Sequence, residues 1–271
     1  MRSTIHISQS LNPYHNLSIE EYLLHHVAND EVILYLWQNE KTVVIGRNQD
    51  IYAEVNLDFL ASIGGYPTRR LSGGGAVYQD AGNLNFTFVA QQKNYDVSRQ
   101  TKVILEAVRS LGFDAEKNGR NDLTIDGRKF SGHSYYHYKD RMFHNGTILI
   151  RTDAEIMCKV LSPSKEKLES KGVKSVKSRV LNLSELQPTL TPEIMREAVS
   201  AAFQQEYGKS QPLILENIEG VTPFSDPSWI YNRRPDYQHT LIHRLDTATI
   251  TLHYNIRDNA ISEYTIFTDA L

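Results

Sequence analysis

Three consecutive glycines beside two arginines form the most chemically informative stretch of this 271-residue chain, the run RRLSGGGAVYQDAGNLN at residues 69–85. Gly73, Gly74 and Gly75 allow backbone N–H groups to approach a ligand without a Cβ in the way, and the two arginines add charge and forked donors. Phosphate and carboxylate groups suit such a stretch. The run lacks the lysine-Ser/Thr ending of a Walker loop and the spacing of a dinucleotide fingerprint. A tight turn with solvated arginines would explain three glycines alone, but the complete run favours an anion site of another kind.

A predicted hairpin follows this run and carries a lysine. Asp126 and Gly127 separate two short strand-like stretches, which is a strong signal for a two-residue turn. Lys129, on the second strand, could hold a carboxylate and a phosphate on one cation, as the formation of an acyl adenylate requires. Asp122 could hold a metal or orient that lysine. Taken alone, Lys129 would more often be a surface lysine and Asp126-Gly127 only a turn.

A basic, glycine-containing stretch at residues 171–183 includes Lys174 and Ser175. Its charges suit a loop that closes over a nucleotide or a reactive intermediate and excludes water. A solvated basic loop explains the same residues about equally well.

Cys158 is the sole cysteine, which excludes an intramolecular disulfide and a multi-cysteine zinc cluster. It could carry an acyl group as a thioester. Because it lies at helical spacing among apolar residues, a buried structural thiol is the favoured interpretation. No histidine pair at metal-binding spacing and no serine in a nucleophile elbow points to hydrolysis.

The composition is that of an ordinary globular protein, with 40% hydrophobic and 23% charged residues. The formal net charge of −3 supplies no overall basic field for nucleic acid or anionic lipid, so the ligand must be recognised by a pocket. The chain begins without an apolar targeting segment and contains no uncharged apolar run of about 18 residues. We expect a cytoplasmic protein with no membrane or nucleic-acid partner.

Periodicity predicts an alternation of helices and strands. The predicted helices cover residues 17–24, 55–62, 98–111, 154–160 and 192–207, and the predicted strands cover 4–7, 32–37, 42–45, 86–89, 123–125, 128–130, 146–150, 248–254 and 260–267. Residues 38–41 suit a hairpin between the second and third strands. Acidic residues near the start of the first helix are expected to interact with the helix dipole.

These segments together resemble the lipoate-protein ligase family. The resemblance rests on residues 12–17, 36–37, 42–49, 69–85, 119–122, 126–132, 146–147 and 171–183, which occur in the family's order over most of the first 183 residues. It implies an α+β fold: a mixed β-sheet catalytic domain flanked by helices, like the cores of biotin protein ligases and class II synthetases. It also implies a catalytic domain at 1–222 and, at 223–271, the incomplete beginning of a small C-terminal accessory domain.

The resemblance implies a two-step reaction, in which ATP and lipoate give lipoyl-AMP and a carrier lysine then receives the lipoyl group. The carriers would be lipoyl domains of 2-oxoacid dehydrogenase E2 subunits, the glycine cleavage H protein, or both. Lys129 would contact the carboxylate and the α-phosphate, and Asp122 would help to hold Mg²⁺. The lipoyl-adenylate or ATP would contact Trp37, Arg70, Ser72, Gly73, Gly74, Gly75, Gln79, Asn83, Asn121, Asp122, Lys129, Thr147, Lys174 and Ser175.

Three features depart from the family pattern. Gln79 and Asn145 stand where histidines are usual, although both keep the capacity to form hydrogen bonds. The chain ends at Leu271, before the further helix and strand of typical members.

Three rival functions stay open. The first is a lipoyl or octanoyl transferase that uses premade lipoyl-AMP or an acyl-carrier donor, the second is a biotin ligase, and the third is a binding module that senses lipoyl-adenylate without catalysis.

Overall fold

The computed structural model describes residues 1–119, 121–161, 179–215, 218, 222–231, 237–257 and 260–271. Among them lie seven α-helices: α1 (Pro13–His26), α2 (Ile51–Glu54), α3 (Leu57–Ser62), α4 (Val97–Ser110), α5 (Ala154–Val160), α6 (Pro192–Tyr207) and α7 (Pro227–Tyr231). The strands of the same residues are β1 (Arg2–Ile7), β2 (Glu31–Trp37), β3 (Thr42–Ile45), β4 (Tyr66–Arg69), β5 (Val77–Gln79), β6 (Asn83–Gln91), β7 (Glu116–Asn118), β8 (Asp122–Ile125), β9 (Arg128–Tyr138), β10 (Arg141–Leu149), β11 (Gln211–Pro212), β12 (His239–Arg244), β13 (Thr249–Arg257) and β14 (Ala260–Thr268).

An eight-stranded mixed sheet forms the centre of the molecule, in the order β11-β1-β2-β6-β10-β9-β8-β7. β1 runs parallel to β2 and β11, and the other neighbouring strands are antiparallel. Every residue of β2 and β6 is buried, because helices cover both faces at this point. The α+β class with a mixed sheet between helices is therefore confirmed.

Each face of the main sheet packs against a different set of helices. α4 and α6 cover one face, where Val103, Ile104 and Phe203 pack on Leu34, Phe86 and other strand residues. α1 covers the opposite face, where its leucines pack around Tyr35 and Trp37. Because successive side chains of a strand point to opposite faces, every second residue of each strand faces α1.

The helices with strong local signals were predicted almost to the residue. α6 begins after Thr191, whose side chain accepts from the Ile194 N–H, and it ends before Gly208, which has φ 88°. α4 begins after Asp96, whose carboxylate accepts from the N–H groups of Ser98 and Arg99. The predicted helix at 55–62 corresponds to α3, which begins two residues later, at Leu57. The short helix α2, which ends at Glu54, was not predicted.

The hairpin predicted at 38–41 is wrong. β2 lies in the main sheet, whereas β3 belongs to a separate three-stranded sheet in the order β4-β3-β5. β3 pairs in parallel with β4 and antiparallel with β5. This small sheet presents both ends of the glycine-rich loop, because the loop joins β4 to β5.

The acidic residues of α1 were also misinterpreted. The first turn of the helix contains no acidic residue, and Glu20 and Glu21 are buried in its middle. Their side chains are buried in the protein interior, away from the N-terminal turn where an acidic residue would interact favourably with the helix dipole.

A second three-stranded sheet, β12-β13-β14, lies near the end of the chain. Its strands β13 and β14 match the predicted tail, and β12 was not predicted. The Thr268 N–H donates to the Asn48 carbonyl at 2.7 Å, and His253 Nε2 lies 3.9 Å from Asp50 Oδ2. These contacts join this sheet to the segment that follows β3.

The described helices include none long and apolar enough to cross a lipid bilayer.

Two histidines are buried between the main sheet and α4. His144 Nε2 lies 2.9 Å from His133 Nδ1, and His144 Nδ1 lies 3.0 Å from the Gln100 side-chain oxygen. Burial lowers the pKa of His133 to about 3 and lowers the pKa of His144 as well. Both imidazoles are therefore neutral in the folded protein, although they would bind protons in the unfolded chain below about pH 6.5.

The buried pair makes stability depend on pH. The pKa of each histidine is depressed in the folded state, so their contribution to the free energy of unfolding is present above about pH 6.5 and is lost as the pH falls toward 3. Each histidine contributes a slope of up to about 1.4 kcal/mol per pH unit below that point. Urea unfolding between pH 7.5 and 5.5 measures this slope, which we expect to be shallower in His144→Gln. The exposed His243→Gln is the control, and an unchanged slope in His144→Gln would contradict the assignment.

Candidate active site

The glycine loop at residues 72–75 is shaped by Arg70, which is buried beneath it. Arg70 Nη2 donates to the carbonyls of Gly73 and Gly75, at 2.5 and 2.9 Å, and Nη1 donates to the Val44 carbonyl at 3.2 Å. Its Nε donates to Ser72 Oγ at 3.2 Å and to the Gly73 carbonyl at 3.1 Å. Burial lowers the pKa of Arg70 to about 10, so the guanidinium is charged at neutral pH. Arg70 thus draws the loop carbonyls to one side.

Arg69 holds the neighbouring segment in the same manner. Its guanidinium donates to the carbonyls of Gly46, Arg47 and Gln49 after β3, and to those of Trp229 and Ile230 in α7. In addition, the Trp229 indole N–H donates a hydrogen bond to the Arg69 backbone carbonyl at 2.8 Å. The sequence suggests that both arginines offer donors to an anion. In the structure, backbone carbonyls accept hydrogen bonds from both guanidinium groups.

Gly46 supports the glycine loop from behind. A Cβ on Gly46 would lie 2.0 Å from the Gly74 carbonyl oxygen, and the Arg47 N–H donates to the Ser72 carbonyl at 2.9 Å. Only glycine allows these two backbones to approach so closely.

Lys129 is positioned by the hairpin between β8 and β9. Asp126 and Gly127 have φ values of 50° and 72°, as a two-residue primed turn requires, so the predicted hairpin is confirmed. Lys129 Nζ lies 2.7 Å from Asp122 Oδ1, and both side chains are about two-fifths exposed, at 41% and 43%. A Cβ on Gly132 would lie 2.7 Å from Lys129 Nζ, so the lysine crosses the strand where a side chain is missing.

The glycine loop and Lys129 line the same cavity, which has a volume of about 320 Å³. The candidate residues on its wall are Trp37, Arg70, Gly74, Gly75, Gln79, Asn121, Asp122, Lys129 and Thr147. Leu17, Val44, Ala76 and Val77 add apolar surface. The cavity is therefore apolar near Trp37 and Leu17, and polar near Lys129 and Asp122.

The floor of the cavity follows one register across the main sheet. Trp37 pairs with Asn85, Asn85 with Thr147, Thr147 with Gly132, and Gly132 with Asp122. Directly paired residues of antiparallel strands point to the same face. The sheet thus aligns the apolar and charged ends of the cavity along a single row.

Three of the described candidate residues do not line the cavity. Ser72 is buried and its hydroxyl lies 2.9 Å from Ser134 Oγ, while Gly73 lies against Ala270 and Leu271. Asn83 is buried and its side-chain oxygen accepts from the Thr152 hydroxyl. Lys174 and Ser175 lie outside the described residues.

The cavity wall also contains residues that were not predicted. Thr247 reaches it from the turn between β12 and β13, and Asp269 and Leu271 reach it from the segment after β14. The Gly74 N–H donates to the Ala270 carbonyl at 2.8 Å. No local signal in these positions marks them, because they reach the site only through long-range packing.

The two departures from the family pattern both lie on the wall. Gln79 Oε1 accepts from Asn39 Nδ2 at 2.8 Å, and Asn145 Nδ2 donates to Glu20 Oε1 at 2.9 Å. Each amide is held by hydrogen bonds to a buried polar residue.

Cys158 is exposed on α5, so the prediction of a buried thiol is wrong. α5 has only two buried residues, Met157 and Val160, which pack toward α3 while Cys158 faces outward. Cys158 is not among the described residues that line the cavity.

A divalent cation would find oxygen ligands at the polar end. Asn121 Oδ1 is buried without a hydrogen-bond partner in the described residues, and the Asp122 carboxylate is adjacent. Such hard oxygen donors suit Mg²⁺, which usually takes one or two protein ligands and completes its shell with phosphate and water.

The close approach behind the loop yields a stability prediction. Gly46→Ala should lower the free energy of unfolding by about 1–3 kcal/mol or more, because the new methyl group meets a backbone carbonyl that cannot move aside. Gly75→Ala is the matched control in the same loop, since a Cβ there meets nothing within 4 Å. Denaturant unfolding of both variants makes the comparison, and equal stability would contradict the packing described.

Comparisons with known proteins agree with this arrangement. The family model for the lipoyl protein ligase A/B catalytic domain matches residues 12–204. The chain is 37% identical to lipoate-protein ligase A of Blochmanniella floridana over 278 residues, which cover 97% of this chain and 82% of that protein. It is 36% identical to lipoate-protein ligase A of Bdellovibrio bacteriovorus over 281 residues, covering 98% and 83%.

Solved structures show the same fold. The crystal structure of P. falciparum LipL1 in complex with lipoate superposes with a TM-score of 0.86 at 30% identity, over 99% of this chain and 85% of that one. A bi-partite lipoate protein ligase from Thermoplasma acidophilum, studied with its E2 lipoyl domain, gives 0.73 at 23% identity, over 87% and 99%. Because the family model covers most of the sequence and curated relatives align along nearly its whole length, the chain belongs to the lipoyl protein ligase A/B catalytic domain family.

Proposed function

We propose that this protein is a lipoate-protein ligase, which activates lipoate with ATP and transfers the lipoyl group to a lysine of a carrier protein. The main observation in support of the proposal is a single cavity with a polar and an apolar end. Lys129 and the glycine loop line the polar end, and Trp37 lines the apolar end. The named relatives are lipoate-protein ligases, and a neighbour of the same fold was crystallised with ATP.

Two displacements make up the reaction. A carboxylate oxygen of lipoate attacks the α-phosphorus of ATP, the bond to pyrophosphate breaks, and lipoyl-AMP forms. The amine of a carrier lysine then attacks the acyl carbon, the bond to AMP breaks, and the amine releases its proton. Because the mixed anhydride is already reactive, alignment of the reactants supplies much of the acceleration, and effects of about 7–11 kcal/mol are available from positioning.

Lys129 is the cation that would stabilise charge in both steps. Its ammonium group is partly exposed in the cavity and is oriented by Asp122, whereas the Arg70 donors are held by backbone carbonyls. A lysine side chain offers three donors that can reorient between a carboxylate and a phosphate. Asp122 therefore keeps Lys129 on the cavity wall until the substrate oxygens replace it.

The glycine loop would contribute backbone donors. With the loop carbonyls turned toward Arg70, the Gly74 N–H points away from them and donates to the Ala270 carbonyl. A phosphate or carboxylate oxygen is a better acceptor for such an N–H than a neutral carbonyl. We propose that Gly74 and Gly75 contact the adenylate, while Ser72 and Gly73 support them from behind.

The apolar end would take the acyl chain. Trp37, Leu17 and Val44 line it, and together they remove apolar surface of a fatty tail from water. Thr147, Gln79 and Asn121 would provide polar contacts for the nucleotide portion. Asn83 remains a proposed contact and lies on β6, two residues before Asn85, which pairs with Thr147. Lys174 and Ser175 remain proposed contacts from the basic stretch.

Mg²⁺ fits the polar end through Asp122 and Asn121, and when bound it would neutralise phosphate charge.

We also propose the carriers, the domain boundary and the compartment. A lipoyl domain of an E2 subunit is the favoured carrier, because the Thermoplasma acidophilum ligase was studied with its E2 lipoyl domain, and the glycine cleavage H protein is the second candidate. Residues 1–222 would form the catalytic domain and 223–271 an accessory domain. The single cysteine is compatible with a reducing cytoplasm.

Lys129 is the direct test of the proposed chemistry. Lys129→Ala should reduce lipoate-dependent ATP–pyrophosphate exchange by roughly 10²–10³-fold, because a donor aimed at developing charge is lost. Lys129→Arg should recover part of the rate, and Lys159→Ala on α5 is the control. Exchange by Lys129→Ala at the wild-type rate would refute the assignment, and stimulation of the wild type by biotin but not lipoate would favour a biotin ligase.

Premade lipoyl-AMP separates the ligase from its transferase rival. Purified protein with ATP, Mg²⁺, lipoate and an apo lipoyl domain should give lipoylated carrier, detected by mass spectrometry. Cys158→Ala should keep the wild-type rate, because the exposed thiol lies outside the cavity lining. Transfer only from premade lipoyl-AMP would identify an adenylate-dependent transferase, and loss of transfer in Cys158→Ala would indicate a thioester route.

A further inference from the structure

Glu20 is a buried carboxylate that accepts a hydrogen bond from Asn145 of the cavity wall, and the reaction proposed above does not use it. It lies in the middle of α1 and is 1% exposed. Its Oε1 accepts two hydrogen bonds, from the Thr87 hydroxyl at 2.6 Å and from Asn145 Nδ2 at 2.9 Å. These donors belong to β6 and β10, so Glu20 joins the helix to two strands of the cavity floor.

One branch from Glu20 leads to the acyl end. Thr87 donates its hydroxyl proton to Glu20, and its oxygen accepts from Trp37 Nε1 at 3.3 Å. Because a hydroxyl can donate only one proton, the carboxylate acceptor orients Thr87 so that its oxygen is presented to the indole. Trp37 lines the cavity.

The second branch leads to the glycine loop. Arg70 Nε donates to Ser72 Oγ at 3.2 Å, and Ser72 and Ser134 share a hydrogen bond at 2.9 Å. Ser134 Oγ donates to Asn145 Oδ1 at 2.5 Å. All donors then run in one direction, from Arg70 through Ser72, Ser134 and Asn145 to Glu20.

The buried surroundings make Glu20 sensitive to pH. Burial raises its pKa to about 7, against the bonds from Thr87 and Asn145 and the positive charge of Arg70, which lower it, while neighbouring Glu21 raises it further. The titratable and charged groups facing it are Glu21 from α1, Tyr35 from β2 and Arg70 from the glycine-rich segment. Its charge partly compensates the buried guanidinium.

We propose that Glu20 is a positioning residue for the acyl end of the cavity, where it holds Trp37 through Thr87, and that its bond to Asn145 connects this end to Ser72 and Arg70 beneath the glycine loop. The proposal rests on the lipoate-ligase function for its substrate. The carboxylate is the single acceptor on which both branches converge. Without it, Thr87 and Asn145 have donors with no partner, and each rotates to find another acceptor.

The kinetic test compares two neighbouring acids of one helix. Glu20→Ala should raise KM for lipoate roughly tenfold, as the loss of a buried acceptor for two donors implies. It should leave KM for ATP within about twofold, because Arg70 holds the glycine loop by its own bonds to the Gly73 and Gly75 carbonyls. Glu20→Gln should restore most of the lipoate KM, because a glutamine oxygen can accept both bonds. Glu21→Ala is the matched control: Glu21 is equally buried but accepts from the Thr222 N–H and hydroxyl. An unchanged lipoate KM in Glu20→Ala, or an equal rise in Glu21→Ala, would overturn the proposal.

A spectroscopic test needs no substrate. The chain has two tryptophans, so Trp229→Phe leaves Trp37 as the reporter. Its emission should titrate with a midpoint near pH 7 when Glu20 is present and should lose this step in Glu20→Gln. The same step in both proteins would overturn the link between Glu20 and Trp37. Failure of the wild type to use lipoate would refute the proposed function, while the titration would still decide the link.

Discussion

The site depends on two adjacent buried guanidinium groups whose donors are held by backbone carbonyls. Arg70 bonds to the carbonyls of Gly73 and Gly75, and Arg69 bonds to carbonyls of the segment after β3 and of α7. A charged hydrogen bond of this kind is stronger than a neutral one, and breaking it inside the protein leaves a charge without a partner. The glycine loop is therefore held in one shape before any ligand arrives.

As a result, Arg70 and Lys129 have different roles in the site. Arg70 gives the loop its shape, and in the proposed reaction the ammonium group of Lys129 would exchange Asp122 for substrate oxygens. The main sheet fixes their relation, because Trp37, Thr147, Gly132 and Asp122 belong to one row across its strands. An acyl chain and a nucleotide can then meet over a single line of residues, with apolar contacts at one end and charge at the other.

Local signals made part of this architecture predictable. α6 has a capping threonine, a proline in its first turn and a following glycine, and the Asp126-Gly127 turn permits one hairpin geometry. The three glycines and Lys129 were predicted as site residues for a similar reason, because their chemistry is evident in the residue types. The pairing of β3 with β4 and β5 was missed because residues 38–41 resemble a turn, whereas the partners of β3 lie later in the chain. Strand β12 was missed because every one of its residues is exposed, so no alternation of buried and exposed positions marks it as a strand. The residue types of Arg69 and Arg70 reveal their donors but not the acceptors, and an acid such as Glu20 on a helix is ordinarily assigned to solvent.

The claim that one lysine serves both the acyl carboxyl group and the nucleotide phosphate is tested most directly by a crystal structure with a non-hydrolysable lipoyl-adenylate analogue. The account predicts that Lys129 Nζ leaves Asp122 and lies within about 3 Å of both an acyl oxygen and an α-phosphate-equivalent oxygen, with the backbone of Gly74 or Gly75 on the same group. An analogue bound with its acyl tail away from Trp37, or with Lys129 still paired to Asp122 and distant from the ligand, would contradict it.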